Sequence, residues 1–222
     1  MNKKEEIQPY YIRDEGRRST SMEIKTMNLI KKMLNEKDAE RILNTIIINR
    51  KDIPKNDEIT KDFETLASQS HLGHQYDWLA RYTNSLGIKD LELSVHRDDT
   101  VEGFIKNDVA LVEKGDDSYY KLVEKPSQPE LGIFSYYDFP LLDMTKLDME
   151  AQSKKSGFNH IMEMTWFCHA PMNKKPCGMC NPCKYTRDEG LGRRVPTPTL
   201  SMKLKRKIQF KLIGLKRKIK LN

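Results

Sequence analysis

Short blocks of apolar and polar residues alternate along the first 50 positions, as is typical of strands joined by helices. Residues 9–13 are apolar and aromatic and predict a short strand that ends in a turn. Residues 20–23 fit a capping box, in which a hydroxyl and a Glu satisfy free backbone N–H groups, and predict a helix start. Residues 42–48 are rich in β-branched side chains and predict a buried strand. Apolar residues recur at helical spacing after the capping box, at Ile24, Met27, Ile30 and Leu34.

Strands and helices continue to alternate over the next hundred residues. Residues 51–62 are polar and predict a loop, and residues 71–86 predict a helix that ends at Gly87. The remaining expected elements are a strand at 91–95, a helix at 100–112, a hairpin or loop at 114–121, a strand at 134–139 and a helix at 145–156. This order favours an α/β fold of Rossmann-like type, a parallel sheet with helices on both faces.

Positive charge is concentrated at the C-terminal end of the chain. Residues 200–222 carry nine of the 39 Lys and Arg residues and no acidic residue. Removing those nine leaves 30 basic against 32 acidic residues, so the body of the chain is close to neutral. The net charge of +7 therefore does not indicate a nucleic-acid groove in the body, which disfavours a zinc-ribbon nucleic-acid binder.

The tail, residues 200–222, also contains an apolar stripe at helical spacing. A basic amphipathic helix of this kind can lie on an anionic membrane surface. It can also bind RNA or an acidic partner, or remain a solvated tail. The stripe consists of Leu204, Ile208, Leu212, Leu215 and Ile219.

No stretch of the sequence approaches the run of about 18 apolar residues that a spanning helix needs. The first residues, M-N-K-K-E-E-I-Q, contain no apolar segment of a secretory signal. We therefore expect a cytoplasmic protein, with docking of the tail at the inner membrane surface as one option.

All four cysteines fall within residues 168–183. Disulfide partners would be more scattered, and cytoplasmic thiols are normally reduced. Cys177, Cys180 and Cys183 lie in the run C-G-M-C-N-P-C, which predicts a tight turn, and Cys168 precedes it. Tetrahedral zinc takes four soft, anionic ligands of this kind. The spacing therefore predicts a metal site, with zinc as the favoured ion.

Two alternatives for the cysteines stay open. An iron–sulfur cluster is one, because C-x₂-C-x₂-C also occurs in ferredoxins, although the further C-x₃-C-P arm is missing here. Free or redox-active thiols are the other. His169 is adjacent to Cys168 and is expected to point elsewhere. A zinc ion with four cysteine ligands has no open position for water, so it would stabilise the fold rather than take part in a reaction.

Three stretches of the sequence resemble one family. Residues 165–191 read T-W-F-C, eight residues, C-G-M-C-N-P-C and, two residues later, T-R-D-E-G-L. This string resembles the C-terminal zinc segment of 7-cyano-7-deazaguanine synthases, the queuosine-precursor branch of the PP-loop enzymes related to adenine-nucleotide α-hydrolases. Residues 139–146, F-P-L-L-D-M-T-K, and residues 11–23, which begin Y-I-R-D-E-G-R-R, resemble two more stretches of that family. The resemblance covers residues 9–192.

The resemblance implies an activity and its cofactors. In the family, ATP adenylylates the carboxylate of 7-carboxy-7-deazaguanine, ammonia converts it to an amide, and a second ATP-dependent step dehydrates the amide to the nitrile. A ligase of this kind uses ATP and Mg²⁺. The family's structural zinc would be held here by Cys168, Cys177, Cys180 and Cys183.

The resemblance also implies that three basic residues are candidates for phosphate binding. Lys146 becomes a candidate contact for nucleotide or substrate phosphates, because a cation there would stabilise developing negative charge. Arg17 and Arg18 are further candidates. The alternative for all three is a solvated basic residue beside a helix.

One part of the family pattern has no counterpart in this sequence. The family's S-G-G-x-D-S loop follows its first strand and binds pyrophosphate through backbone N–H groups, whereas this sequence contains no Gly-Gly pair. The first strand is central in a sheet of order 3-2-1-4-5, so its absence would leave two neighbours unpaired. We therefore expect a truncated reading of a longer gene, one half of a split protein whose partner supplies the strand, or a relative that no longer hydrolyses ATP.

Two further stretches differ from the family. Residues 71–78, H-L-G-H-Q-Y-D-W, stand where the family has P-G-R-N, and residues 96–100, H-R-D-D-T, replace a substrate-recognition stretch. Both lie near predicted strand ends, where α/β proteins bind ligands. Their polar residues are candidates for a small-molecule pocket, or alternatively ordinary surface residues: His71, His74, Tyr76, Asp77, His96, Asp98 and Asp99.

The sequence thus predicts three regions and leaves two functions open. Residues 1–160 would form an N-terminally incomplete α/β nucleotide-hydrolase-like domain, 161–195 the cysteine segment and 196–222 the basic tail. One function is an ATP-dependent ligase of the deazaguanine type, inactive without its phosphate loop. The other is a non-catalytic, zinc-stabilised binding module derived from that fold. A homo-oligomer, or a partner that supplies the first strand, fits either function.

Overall fold

The computed structural model describes residues 6–36, 41–115, 117–204 and 208. The chain divides into two compact units, each built from separate stretches. The strand unit contains Ile7–Glu15 and Leu43–Gln152, and the cysteine unit contains Met1–Glu6, Gly16–Ile42 and Ser153–Asn222.

The strand unit contains two sheets. β1 (Tyr10–Arg13) and β2 (Ile46–Asn49) form a parallel pair. The other sheet has the order β3–β6–β5–β4. In it, β3 and β6 are parallel, whereas β5 runs antiparallel to both of its neighbours. Its strands are β3 (Leu91–Glu92), β4 (Val109–Lys114), β5 (Asp117–Leu122) and β6 (Tyr137–Phe139).

Seven α-helices lie between Thr20 and Thr186 in the described part of the chain, and a further helical segment begins at Leu200. The seven are α1 (Thr20–Asn35), α2 (Asp57–Gln69), α3 (Gln75–Leu86), α4 (Thr100–Ile105), α5 (Lys146–Lys155), α6 (Asn159–Met162) and α7 (Asn181–Thr186). A 3₁₀ turn at Pro129–Phe134 precedes β6. Within these described residues, no helix is both long and apolar enough to cross a membrane.

The core of the strand unit lies where α2, α3 and the 3₁₀ turn pack beside the four-stranded sheet. Ile59, Phe63 and Leu66 occupy one face of α2 and are buried. On α3, the ring of Tyr76 meets that of Phe134 edge to face, with centroids 5.8 Å apart. Aromatic residues of the sheet strands complete this core.

Helix α3 contacts both sheets of the strand unit. The ring of Tyr82 lies 6.1 Å from that of Tyr10 on β1. Asn84 donates to the hydroxyl of Tyr136, beside β6, at 3.0 Å. Both sheets therefore flank the same helix.

The α/β class is confirmed, since helices accompany two parallel strand pairs. The four-stranded sheet is mixed rather than purely parallel, because residues 109–122 form a hairpin, one of the two forms expected around residue 115. The strand at residues 9–13 and the helix that Gly87 ends are also confirmed. Gly87 takes the left-handed conformation, with φ of 64°.

Three element predictions are wrong. Helix α2 begins within the predicted loop 51–62, because Asn56 caps it by accepting the N–H of Ile59 at 3.1 Å. The helix expected at residues 100–112 ends at Ile105 and gives way to β4. The strand expected to be buried, β2, is half-exposed, because the two-stranded sheet leaves its faces open.

The capping box expected at residues 20–23 is also wrong. Ser19, not Thr20, precedes the first helical residue, and its side chain donates to Glu23 at 2.8 Å instead of accepting a backbone N–H. Glu23 is turned to Arg17, whose guanidinium lies 2.8 Å away. The ion pair satisfies the carboxylate better than a backbone N–H would.

Candidate functional site

The four cysteines lie at the centre of the cysteine unit. Cys180 is the N-cap residue of α7, Cys183 lies within that helix, and Cys168 and Cys177 come from the preceding segment. All four are buried, at 7% exposure or less, and all have free thiols. The partly buried aromatic residues Trp166 and Phe167 pack around them.

The four sulfur atoms have the spacing of a tetrahedral metal site. All lie within 4.8 Å of one another. The Cys177–Cys183, Cys168–Cys180 and Cys180–Cys183 Sγ pairs are 3.9, 3.8 and 3.4 Å apart. Four sulfurs at about 2.3 Å from a central ion lie about 3.8 Å from each other, whereas a disulfide requires about 2.05 Å. The cluster could therefore hold a metal ion.

Backbone N–H groups point at the sulfurs. Cys177 donates to the Sγ of Cys168 at 3.2 Å, and Met179 and Cys180 donate to the Sγ of Cys177 at 3.4 and 3.3 Å. Such donors stabilise thiolates and orient them as ligands. The indole of Trp166 donates to the carbonyl of Cys168 at 2.7 Å, which fixes the backbone at that ligand.

The ionisation of the thiols differs across the cluster. Hydrogen bonding with Cys168 is the main reason that the pKa of Cys180 falls to about 4. Hydrogen bonding with Cys180, and then burial, raise the pKa of Cys168. Burial raises the pKa of Cys183 to about 11. Because burial opposes four adjacent thiolates, a bound cation would be needed to keep all of them ionised.

Gly178 allows the tight turn between the second and third cysteines. Its φ is 70°, in the left-handed region, and an added Cβ would lie 2.3 Å from the carbonyl oxygen of Pro196. The carbonyl of Gly178 accepts the Arg187 guanidinium at 3.2 Å. Two later segments thus hold the backbone of the turn in place.

His169 is not part of the four-cysteine set. Burial, the largest cause, and the charge of Arg17 lower its pKa. Arg17 itself donates to Ser19 and Glu23, at 3.2 and 2.9 Å. These side chains form a polar cluster in the cysteine unit that the sequence did not reveal. Arg18 is exposed.

The remaining phosphate candidate, Lys146, is the first residue of α5 and half-buried. It belongs to the strand unit, whereas Arg17 and Arg18 belong to the cysteine unit. The roles of all three in phosphate binding stay predictions.

The candidate pocket residues of the strand unit have structural partners of their own. His74 is exposed and stacks near Phe63, with ring centroids 5.6 Å apart. Asp99 caps α4 by accepting the N–H of Val101 at 2.9 Å. Asp98, just before it, is exposed and left-handed, with φ of 69°.

The other four candidates of those stretches are His71, Tyr76, Asp77 and His96. Asp77 receives the hydroxyl of Thr60 at 2.8 Å and pairs with Arg81 at 2.9 Å. Burial raises the pKa of Tyr76 to about 12, and the charge of Asp99 adds to that effect. His96 Nδ1 lies 2.6 Å from the adjacent carbonyl oxygen, and His71 is exposed.

Sequence reasoning did not single out a groove of about 690 Å³ beside β5. Lys89, Lys121 and Lys125 line it. Asp138 lies 3.3 Å from the Lys121 ammonium, and Asp90 contacts the same group. The positive charge of Lys121 is therefore already balanced by these two carboxylates. No sequence motif marks this groove, because its lysines come from separate elements.

Comparison with known families gives one match. Residues 78–194, more than half of the chain, match the sequence model of a protein family that is described as Queuosine biosynthesis protein QueC. The chain belongs to the QueC family. The resemblance to 7-cyano-7-deazaguanine synthases is thereby confirmed. The family match includes all four cysteines, Lys146, Asp98 and Asp99, whereas Arg17, Arg18 and His74 precede it. No curated protein and no solved structure gives a significant match.

Proposed function

We propose that this chain is part of an ATP-dependent ligase that converts a carboxylate into an amide or nitrile, as 7-cyano-7-deazaguanine synthases do. The observation that carries the proposal is the family match over residues 78–194, which contains the four-cysteine cluster. The substrate is a small molecule with a free carboxylate. Asp98, Asp99 and His74 are the proposed contacts to it, and Lys146, Arg17 and Arg18 the proposed contacts to phosphate.

The proposed metal is zinc, held by Cys168, Cys177, Cys180 and Cys183. It would supply no chemistry to the reaction, because four sulfur ligands leave no position for water. Its role is to tie α7 to the preceding segment. Elemental analysis of the purified protein should find about one zinc per chain. Iron with a visible charge-transfer band would contradict this assignment.

The ATP step requires a group that these 222 residues do not contain. Backbone N–H groups of a glycine-rich loop normally bind the pyrophosphate, and neither S-G-G-x-D-S nor any Gly-Gly pair occurs in the sequence. We therefore propose that turnover needs a phosphate loop from outside these residues.

Pyrophosphate release tests the proposal. The 222-residue chain, incubated with ATP, Mg²⁺, ammonia and 7-carboxy-7-deazaguanine, should show little or no release above the rate without carboxylate. Addition of a polypeptide that carries a first strand and an S-G-G-x-D-S loop should restore carboxylate-dependent release. Robust turnover by the chain alone would mean that it contains an unrecognised nucleotide loop. No release with the added polypeptide would contradict the ligase proposal.

The missing loop also favours a second candidate function, a non-catalytic binding module that kept the zinc-stabilised scaffold. The coding sequence upstream of Met1 separates the two candidates. An in-frame S-G-G-x-D-S there supports the ligase, and its absence there and in any partner supports the binding module.

A further inference from the structure

The two units of the chain carry opposite net charges. Without the tail, residues 200–222, the cysteine unit contains 17 Lys and Arg residues and 9 acidic residues, whereas the strand unit contains 13 and 23. The near-neutral body of the sequence therefore combines a basic unit with an acidic one. Counting along the sequence did not reveal this, because stretches of the two units alternate. A unit that concentrates basic residues in this way suits a polyanionic partner.

The arginines of the cysteine unit hold some of its acidic side chains. Glu23 lies 2.8 Å from Arg17, and Glu163 pairs with Arg193 and, at 3.9 Å, with Arg194. These carboxylates therefore do not neutralise the lysines of the unit.

Two of those lysines lie in a tight turn before Cys177. Met172 and Lys175 exchange backbone hydrogen bonds at 2.9 and 3.0 Å, which closes a two-residue hairpin turn. Its central residues are left-handed, Asn173 with φ of 51° and Lys174 with φ of 61°. Glycine is the usual second residue of such a turn, so a lysine there has a conformational cost. Both lysines are exposed.

Helix α7 exposes a third lysine and an aromatic ring. Lys184 and Tyr185 directly follow Cys183, and both are exposed, Tyr185 to 56%. Among the described residues, no acidic side chain pairs with Lys174, Lys175 or Lys184. The cysteine unit therefore combines free cations with a ring that is open to solvent.

The cysteine cluster keeps the turn and the helix close together. The Sγ atoms of Cys177 and Cys183 are 3.9 Å apart. Lys175 precedes Cys177 by two residues, and Lys184 follows Cys183. At about 3.8 Å for each Cα step, the backbones of the two lysines lie within about 20 Å of each other. About six nucleotides, at about 3.4 Å each along a strand, span that distance.

We propose that the turn at residues 172–175 and helix α7 form a binding face for single-stranded nucleic acid, here called the basic face. Lys174, Lys175 and Lys184 contact backbone phosphates, and Tyr185 stacks on a base. The strand is single because a duplex keeps its bases stacked on one another. This inference goes beyond the proposed reaction and does not depend on it.

The basic face fits a nucleic acid better than an anionic membrane. Binding at a membrane surface requires an apolar face that enters the headgroup region. Tyr185 is the one exposed large apolar side chain of residues 153–199. The apolar stripe of this chain lies in the tail, so the two surfaces can be tested separately.

Fluorescence anisotropy with the full chain tests the phosphate contacts. The probe is a labelled oligothymidylate of about 12 nucleotides. The variant Lys174→Gly/Lys175→Gln/Lys184→Gln should bind it about tenfold more weakly at about 50 mM salt. The slope of log Kd against log salt should fall by about 2, since each lost phosphate contact removes about 0.7.

A matched control removes the same charge from the strand unit. Lys55, Lys106 and Lys125 are exposed there. Their joint replacement by Gln should leave the salt slope unchanged and alter the affinity much less than the basic-face variant does.

Tyr185 variants test the stacking. Tyr185→Ala should weaken binding of the oligothymidylate about fivefold or more, and Tyr185→Phe, which keeps the ring, should not. With a duplex of the same length, Tyr185→Ala should have no effect, because no base is free to stack. Lys174→Gly alone should weaken binding and raise the melting temperature, because glycine suits the left-handed position.

Four results would overturn the proposal. The first is an absence of saturable binding by the unaltered chain. The second is equal weakening by the two triple variants, which would reduce the effect to net charge. Unchanged binding by the basic-face variant would place the nucleic acid on another surface. Loss of co-sedimentation with anionic vesicles in that variant, without loss of oligothymidylate binding, would make a membrane the partner of this face.

Discussion

At the scale of single residues, Gly178 has no room for a side chain. Its backbone is left-handed, and Pro196 occupies the space of a side chain. We expect Gly178→Ala to destabilise the protein by about 2 kcal/mol or more and to weaken metal retention, as measured by thermal denaturation and metal content. Gly103→Ala is the matched control, since nothing lies within 4 Å of that position. In helix α4 it should stabilise by about 0.5–1 kcal/mol. Equal effects of the two variants would argue against a constrained turn.

Cys180 contributes a sulfur that lies close to two others in the cluster. Cys180→Ser should lower the zinc content well below one per chain and reduce the melting temperature, because structural zinc can contribute about 10 kcal/mol to folding. Met179→Leu changes a neighbouring side chain but keeps the backbone donor, so it should retain the metal. Full zinc retention by Cys180→Ser would remove this residue from the ligand set.

The cysteine cluster could be predicted because its spacing is local in the sequence. The partners of Arg17 could not. The sequence suggested that Glu23 would cap a helix, but its carboxylate is bound by the guanidinium and by Ser19. Whether the Glu23 carboxylate binds a backbone N–H or a guanidinium depends on which group comes close to it in the folded chain. A residue pattern does not specify that.

At the scale of elements, α5 begins with a reciprocal cap. The Thr145 hydroxyl accepts the N–H of Asp148 at 3.1 Å, and the Asp148 carboxylate accepts the N–H of Thr145 at 2.9 Å. Thr145→Ala should destabilise the protein by about 1 kcal/mol in denaturant unfolding. Ser156→Ala, at an exposed position after the helix, should have little effect.

The cap should also depend on pH. Hydrogen bonding from the Thr145 side chain, and then from its backbone, lowers the pKa of Asp148. A carboxylate with a lowered pKa stabilises the fold above its unfolded value of about 3.9, and this stabilisation is lost as the pH falls through the folded value. The protection of the first α5 amides, taken relative to their intrinsic exchange rate at each pH, should therefore fall below about pH 4. Asp148→Asn should abolish that pH-dependent loss of protection, and its persistence in the variant would assign the effect to another group.

The elements that sequence reasoning missed share a physical cause. Helix α2 begins in a polar stretch of the sequence, where charged residues surround its buried residues Ile59, Phe63 and Leu66. The polar composition of that stretch therefore predicted a loop. The composition of β2 is that of an interior strand, yet among the described residues it pairs with β1 alone and its isoleucines stay half-exposed. Periodicity reports which side chains favour burial, not whether other elements cover them.

At the scale of the whole molecule, the tail remains the feature without an assigned partner. Thr199 accepts the N–H of Met202 at 3.3 Å, and a helical segment begins at Leu200. Leu200, Leu204 and Ile208 are 84%, 61% and 49% exposed. The rest of the predicted stripe lies outside the described residues.

Vesicle co-sedimentation tests the tail. We expect the full chain to sediment with anionic vesicles and not with neutral ones, because the stripe supplies apolar contact and each basic residue adds about 1 kcal/mol near an anionic surface. The chain without residues 200–222 should stay in the supernatant. Equal sedimentation of both chains, or none by either, would exclude a membrane role. Salt-sensitive RNA binding without sedimentation would favour a nucleic-acid role instead.

The half-exposed Ile46 and Ile47 also bear on how the protein survives in a cell. Unpaired apolar strands aggregate readily, and cellular quality control removes chains that expose them. The lifetime of this chain in a cell should therefore depend on how well these two isoleucines are shielded, so a polar replacement at either position should slow its degradation.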